Sequence, residues 1–153
     1  MRAGIGFDVH PWKEGRKLVL GGVEIPYERG LYGHSDADVL IHAIIDAILG
    51  AFGMEDIGTL FPETDEYKGI SSMELLKRVR ERIPGRVVNV DAVLVLEEPV
   101  IRPYKERMRE NIARVLGMDK ERISIKGKRC EGLGFVGRKE GAAAMAVVLV
   151  EAV

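Results

Sequence analysis

"DADVLIHAIIDAILGAF", residues 36–52, decides the architecture, because apart from His42 and Asp46 every position from Val39 to Leu49 is apolar. A helix with so little polar surface is covered on most sides. The pattern predicts a helix from about Asp36 to Ala51, capped by Ser35 or Asp36 and ended at Gly50 and Gly53. Asp38, His42 and Asp46 recur four residues apart and share one face of it. Those polar groups need partners, since burying an unpaired one costs roughly 2–7 kcal/mol.

What covers the helix is read from its flanks. Residues 2–9 predict a strand, and "KLVLGGVEIPY" (17–27) two short strands turning at Gly21-Gly22. "ERGLYGHSDAD" (28–38) reads as a glycine-punctuated loop, and "EDIGTLFPETDEYKGI" (55–70) is long for a passive connection. "SSMELLKRVRERI" (71–83) predicts a helix capped by Ser71 or Ser72. "RPYKERMRENIARVLG" (102–117) predicts another, with Pro103 in its first turn and Gly117 after its end. "RVVNVDAVLVLEEP" (86–99), "RISIKGK" (122–128) and "AAAMAVVLVEAV" (142–153) read as strands, the first stopped by Pro99. Strands and helices alternate without uniform βαβ repetition. The expected fold class is therefore α+β: one domain over residues 1–153, a sheet with helices on one face, and a small β-hairpin.

With 153 residues and a net charge of −1, the chain's charge balance argues against a surface built mainly for nucleic acid or an anionic membrane and leaves room only for a local basic patch. The single cysteine, Cys130, excludes an intrachain disulfide and suits a reducing compartment. No apolar run reaches the roughly 18 residues of a bilayer span, and the first residues carry no secretion signal. The expected location is the cytosol.

The chemistry concentrates near the front of the chain, where all three histidines lie between positions 10 and 42. In "GFDVHP" (6–11), Asp8 and His10 are two apart and share one face of the strand, with Phe7 and Val9 expected to turn toward the core. Adding His42 gives two imidazoles and a carboxylate, a ligand set suited to Zn²⁺ at about 2.0–2.2 Å with a fourth position open. Asp38 and Asp46 are then expected behind His42, fixing its tautomer. Plainer readings compete: His42 as a core histidine bonded to Asp46, Asp38 as a first-turn partner of the helix dipole, and Asp46 as a buried acceptor. His34 precedes the helix, where backbone N–H groups attract phosphate, or is simply a solvated loop histidine. "DIGTLFPETD" (56–65) suits hydroxyl recognition or is an ordinary capped turn. "KGKRCEGLGFVGRKEG" (126–141) is basic and glycine-rich, suited to an anion or to a flexible hairpin.

Four stretches together, "GFDVH", "GGVEIPYERGLYGHSDADVLIHAIIDAILGA", "DIGTLFPETD" and "EGLGFVGRKEG", resemble the 2-C-methyl-D-erythritol 2,4-cyclodiphosphate synthase family of the non-mevalonate isoprenoid pathway. The resemblance runs in order from residue 4 to residue 141. It implies a cytoplasmic phosphorus–oxygen lyase of isoprene biosynthesis, a homotrimer with active sites between subunits. In that reaction the 2-phosphate of 4-diphosphocytidyl-2-C-methyl-D-erythritol 2-phosphate attacks the β-phosphate and CMP leaves. The resemblance implies Zn²⁺ at Asp8, His10 and His42, with Val9 beside the substrate. Glu131 is implied at a second divalent cation, Mg²⁺ or Mn²⁺. His34 and Ser35 match residues around the attacking phosphate, His34 with a catalytic role, and Asp56, Ile57 and Gly58 match contacts to the sugar alcohol. Phe61, Pro62, Glu63, Thr64 and Asp65 match the substrate loop. Leu96, Glu97, Glu98, Pro99, Val100, Ile101 and Arg102 match a cytidine pocket lent by a neighbouring subunit. Phe135 and Arg138 match contacts near a central channel that could hold an isoprenoid diphosphate. The chain departs from the pattern where a threonine-rich run is usual: Lys128, Arg129 and Cys130 precede Glu131, and Arg129 replaces a catalytic threonine. Val100 stands where a lysine is common. Two rival functions fit the bare metal ligands, a zinc phosphohydrolase and a non-catalytic trimeric binding protein.

Overall fold

Gly4 and Gly6 set how closely the two layers approach. In the computed structural model, which describes residues 1–153, both lie on strand β1 (Arg2–Glu14) beneath helix α1 (Val39–Ala51). A Cβ on Gly4 would stand 1.9 Å from the carbonyl oxygen of Ala47, and one on Gly6 1.9 Å from that of Ala43. The helix therefore rests on bare backbone, and Asp8 and His10, on the same face two and four residues further along, meet it at His42.

This reverses the expected orientation of the strand. Phe7 is 55% and Val9 43% exposed, and with Ile5 they point away from the helix. The small residues are inside because the helix needs clearance, and the bulky ones form an outer face with β7 (Gly141–Ala152). Ile5 pairs with Val147 and Phe7 with Met145, all four exposed, so the sheet is apolar on both faces but helix-covered on only one.

The main sheet has the order β4-β1-β7-β5-β6, with β4 at Arg29–Leu31, β5 at Gly85–Val95 and β6 at Ile123–Lys128. Its pairings are antiparallel except β5 with β6. β2 (Leu18–Leu20) and β3 (Val23–Ile25) form the expected separate hairpin. β4 was hidden in the segment read as a loop, because three residues are too few to show alternation. Helix α1 lies on β1 and β7. After the short α2 (Ile57–Leu60) come α3 (Ser72–Arg82), which packs on α1, and α4 (Lys105–Leu116), which joins α3 to β6. Gly117 ends α4 in the left-handed conformation, at φ 64°. A last short helix, α5 (Gly134–Gly137), precedes β7. No helix is long and apolar enough to cross a membrane.

Helix α1 starts three residues later than expected, because its cap is Asp38. The Asp38 carboxylate accepts the Ile41 N–H at 3.2 Å, and also the N–H groups of Gly21 (3.0 Å) and Gly22 (2.8 Å). The cap thus binds the hairpin to the helix. Burial, reinforced by the charge of Asp36, pushes this carboxyl to about 7, against the pull of those three N–H donors.

Candidate functional site

Three ligand-type atoms converge where β1 meets α1. Asp8 Oδ2 lies 2.8 Å from His10 Nε2 and 3.1 Å from His42 Nδ1, and the two nitrogens are 3.2 Å apart. Four ligands at zinc distances stand about 3.3–3.5 Å from one another, so a slight widening seats an ion. The chemistry of the donors fits a cation as well as their spacing does. His10 Nδ1 lies 3.0 Å from the Tyr32 carbonyl, which can only accept, so the ring's hydrogen sits on Nδ1. In the neutral ring Nε2 then faces the Asp8 carboxylate as one lone pair facing another. Zn²⁺ satisfies that arrangement; without it a proton does. Accordingly, although burial works against both charged forms, bonding between Asp8 and the two histidines holds the Asp8 carboxyl down at about 2, and Asp8 raises His10. Asp8, His10 and His42 are the group whose ligand atoms lie close enough to hold a metal ion.

The second nitrogen of His42 is not served by the residues expected. His42 Nε2 lies 2.8 Å from Ser72 Oγ and 3.1 Å from Ser35 Oγ. Asp38 is spent on its three backbone donors, and Asp46 accepts the Ile57 N–H at 2.8 Å. Four-residue spacing put these carboxylates on the face of His42, but nearer unsatisfied N–H groups claimed both. Asp46 instead ties α1 to the start of α2, at the rim of the site.

Around the three ligands is a cleft of about 190 Å³, lined also by His34, Ser35, Ile57, Gly58, Phe61 and Glu63. Asp56 caps α2, accepting from Thr59 N–H (2.9 Å) and its hydroxyl (2.8 Å), which hold its carboxyl below the usual range. The helix-start phosphate site expected beside His34 is already filled, at α1, by the Asp38 carboxylate. His34 Nε2 instead donates to the Thr64 carbonyl at 2.6 Å, and Gly69 N–H donates to the His34 carbonyl at 2.8 Å. The stretch from Thr64 to Gly69 is thereby fastened at both ends to His34, with the exposed Pro62 just before it and the exposed Asp65 within it. Tyr67, Ile70 and Leu75 also line the cleft and were missed, the first two because their segment has no periodicity and Leu75 because it reads as an ordinary apolar position of α3. Val9 is adjacent in sequence, but its side chain is on the outer face.

A second hollow of about 260 Å³ is lined by Leu96, Glu97, Pro99, Val100, Ile101 and Arg102, and by Lys128 and Arg129, with Lys105 and Gly127 in addition. Glu98 points elsewhere, to Lys139 Nζ (2.9 Å) and Tyr27 Oη (3.2 Å). Glu97 accepts the N–H of Cys130 and, at 3.3 Å, that of Gly132. It holds the turn that presents Glu131, whose φ is 51° and whose carboxylate is 3.8 Å from Arg129. Neither Cys130 nor Glu131 lines the second hollow, and the two hollows share no lining residue. Phe135 is partly exposed on α5, and Arg138 pairs with Glu140.

Comparison with known proteins matches residues 1–151 to the model of the YgbB family. A curated relative from Syntrophomonas wolfei, 2-C-methyl-D-erythritol 2,4-cyclodiphosphate synthase, is 56% identical over 155 residues, covering 99% of both chains. One of the same name from Chloroherpeton thalassium is 57% identical over the same length and coverage. Among solved structures, the CDP complex of IspF from Plasmodium falciparum superposes with a TM-score of 0.86 at 37% identity, covering 99% of this chain and 96% of that one.

Proposed function

The chain belongs to the YgbB family, and on that premise we propose how its residues divide the work of the reaction. The chain is an enzyme with 2-C-methyl-D-erythritol 2,4-cyclodiphosphate synthase activity. It closes 4-diphosphocytidyl-2-C-methyl-D-erythritol 2-phosphate into the cyclic diphosphate and releases CMP. The observation that carries the assignment of its centre is the meeting of Asp8 Oδ2, His10 Nε2 and His42 Nδ1 within 3.2 Å.

One anion attacks another here, so the barrier is electrostatic and positional. When bound, Zn²⁺ at Asp8, His10 and His42 and a second divalent cation, Mg²⁺ or Mn²⁺, at Glu131 neutralise phosphate oxygens and stabilise the leaving CMP. The nucleophile is already ionised, so no side chain need take a proton from it. That agrees with His34, whose Nε2–H is committed to the Thr64 carbonyl; His34 holds residues 64–69 beside the cleft, and Ser35 faces the attacking phosphate. Asp56, Ile57 and Gly58 contact the sugar alcohol. The hollow at residues 96–102 takes the cytidine, with Arg129 on its phosphates, supplying charge in place of a hydroxyl. The CDP complex of the Plasmodium falciparum relative supports a cytidine nucleotide as ligand.

Phosphorus NMR tests this assignment. The wild type yields CMP and cyclic diphosphate in equal amounts; linear products with free phosphate would indicate a hydrolase. Arg129→Ala yields the same products about 10–100-fold more slowly, the effect of losing one charge-assisted hydrogen bond. Unchanged turnover would remove Arg129 from the site.

The assembly we propose is a homotrimer in which the metal cleft of one copy completes the cytidine hollow of the next. Two features support it. The hollows share no lining residue, and β7 separates β1 from β5. The outer sheet face of Ile5, Phe7, Met145 and Val147 is a contiguous apolar surface of the kind that marks an interface. Phe7→Asp should convert a trimer to monomers by light scattering and abolish turnover with it. A wild type that scatters as a monomer, or an active trimeric variant, contradicts the arrangement.

A further inference from the structure

We infer that Asp36 and Ser72 form a hydrogen-bond relay that sets the protonation pattern of His42 and prepares its Nδ1 as a metal ligand. This rests on the reading of Asp8, His10 and His42 as a metal centre.

Ser72 is the first residue of α3 and is fully buried. A hydroxyl in that position must place both its hydrogen and its lone pairs. Its oxygen contacts two groups, Asp36 Oδ1 and, at 2.8 Å, His42 Nε2. Asp36 is held square to it: Oδ2 accepts the Ser72 N–H at 3.1 Å, and Oδ1 accepts the Asp38 N–H at 3.2 Å. An ionised carboxylate only accepts, so the single hydroxyl hydrogen of Ser72 goes to Asp36. Toward His42 the hydroxyl therefore has only a lone pair to offer, and the hydrogen in that contact belongs to Nε2. A neutral imidazole with its hydrogen on Nε2 is bare at Nδ1, the atom 3.1 Å from Asp8 and 3.2 Å from His10. Ser35 Oγ, which accepts the Ala37 N–H at 3.2 Å, is a second oxygen at Nε2, 3.1 Å away.

The relay does for His42 what the Tyr32 carbonyl does for His10. In each ring one nitrogen is tied to an acceptor, so the other presents a lone pair to the same point. The difference is that the partner of His42 ends in a carboxylate, which draws the hydrogen bond tighter and makes the ring a stronger donor at Nδ1. Outer partners of this kind are worth about 10–100-fold in metal affinity. Asp36 and Ser72 touch neither metal nor substrate in this reading; they are positioning residues.

The test uses the full chain as wild type, Ser72→Ala and Asp36→Asn, with folding checked by circular dichroism and melting. Zinc affinity is measured by competition with a chromophoric chelator, and the His42 Nε2–H is observed by ¹H–¹⁵N NMR of the imidazole. In the wild type that proton should be downfield and slow to exchange. Ser72→Ala should move it upfield, speed its exchange and weaken zinc binding about 10–100-fold. Asp36→Asn, which keeps an oxygen for the hydroxyl but loses the charge, should produce a smaller loss in the same direction. Zinc affinity and an Nε2–H signal like those of the wild type in whichever variant folds overturn the relay alone. A wild type that takes up no zinc overturns the metal reading, and this role of the relay with it.

Discussion

His42→Ala is expected to leave a protein that folds, binds no stoichiometric zinc and releases CMP about a thousandfold more slowly. The substitution removes one of three donors and leaves Asp8 and His10 as an incomplete pair, too few to fix a tetrahedral ion. Charge stabilisation by a bound metal is worth several kcal/mol in such a reaction, and about 4 kcal/mol corresponds to that loss of rate. Alanine is the best helix former, so α1 persists, with its apolar positions still buried. The side chain also withdraws from Ser35 and Ser72, whose hydroxyls retain partners in Ala37 and Asp36. Metal analysis of the purified variant and phosphorus NMR of its products decide the matter together. Full zinc content, or turnover within tenfold of the wild type, would move the reaction away from this cluster.

Gly6→Ala, like Gly4→Ala, places a methyl where the fold has no room for one. The added carbon falls 1.9 Å from a backbone carbonyl oxygen of α1, that of Ala43. No side-chain rotation relieves such an overlap; the helix itself must lift. Overpacking a core costs about 1–3 kcal/mol when side chains can yield, and here backbone blocks backbone. A loss of at least about 3 kcal/mol is expected, seen as a melting temperature lower by about 10 °C. Ala43 follows His42 directly, so zinc affinity should fall together with stability. Gly50→Ala provides the contrast: it lies in the same helix, its Cβ would find nothing nearer than 3.9 Å, and its φ is not positive. That variant should melt at or slightly above the wild-type temperature, because alanine replaces glycine in a helix. Equal melting of the two variants would mean the seam is not as tight as it is drawn.

The same seam shows why the sequence revealed some features and hid others. The helix over 39–51, the hairpin and the long strands are legible because each carries its own period or its own turn residues. Asp8, His10 and His42 are legible as a group because a strand's two-residue alternation and a scarcity of histidines point to them. Which face of β1 lies inward is not legible from alternation. That rule assumes one wet face, whereas here Phe7 and Val9 lie on a second apolar face and glycine lies against the helix. Nor is the partner of His42 legible. Ser72 and Asp36 each have an ordinary local explanation as caps, and their real work depends on α3 packing against α1, a contact between residues some thirty positions apart. Asp38 and Asp46 have the right spacing and the wrong partners, since spacing says which residues share a face but not which donors arrive first.

The position of β7 has a consequence for how the enzyme comes into being. β7 lies between β1 and β5, in register with β1 from Arg2 opposite Val150 to Pro11 opposite Gly141. A chain leaving the ribosome presents Asp8, His10 and His42 early, but β1 then has no long neighbour. Its central partner, at residues 141–152, is made long after it, and pairing of such distant segments is slow. Until residues 141–152 emerge, the ligands sit on a strand with nothing to keep it flat beneath the helix. Synthesis and assembly of the cluster are thus ordered by topology: the nascent protein carries Asp8, His10 and His42 well before it carries the sheet that holds them together.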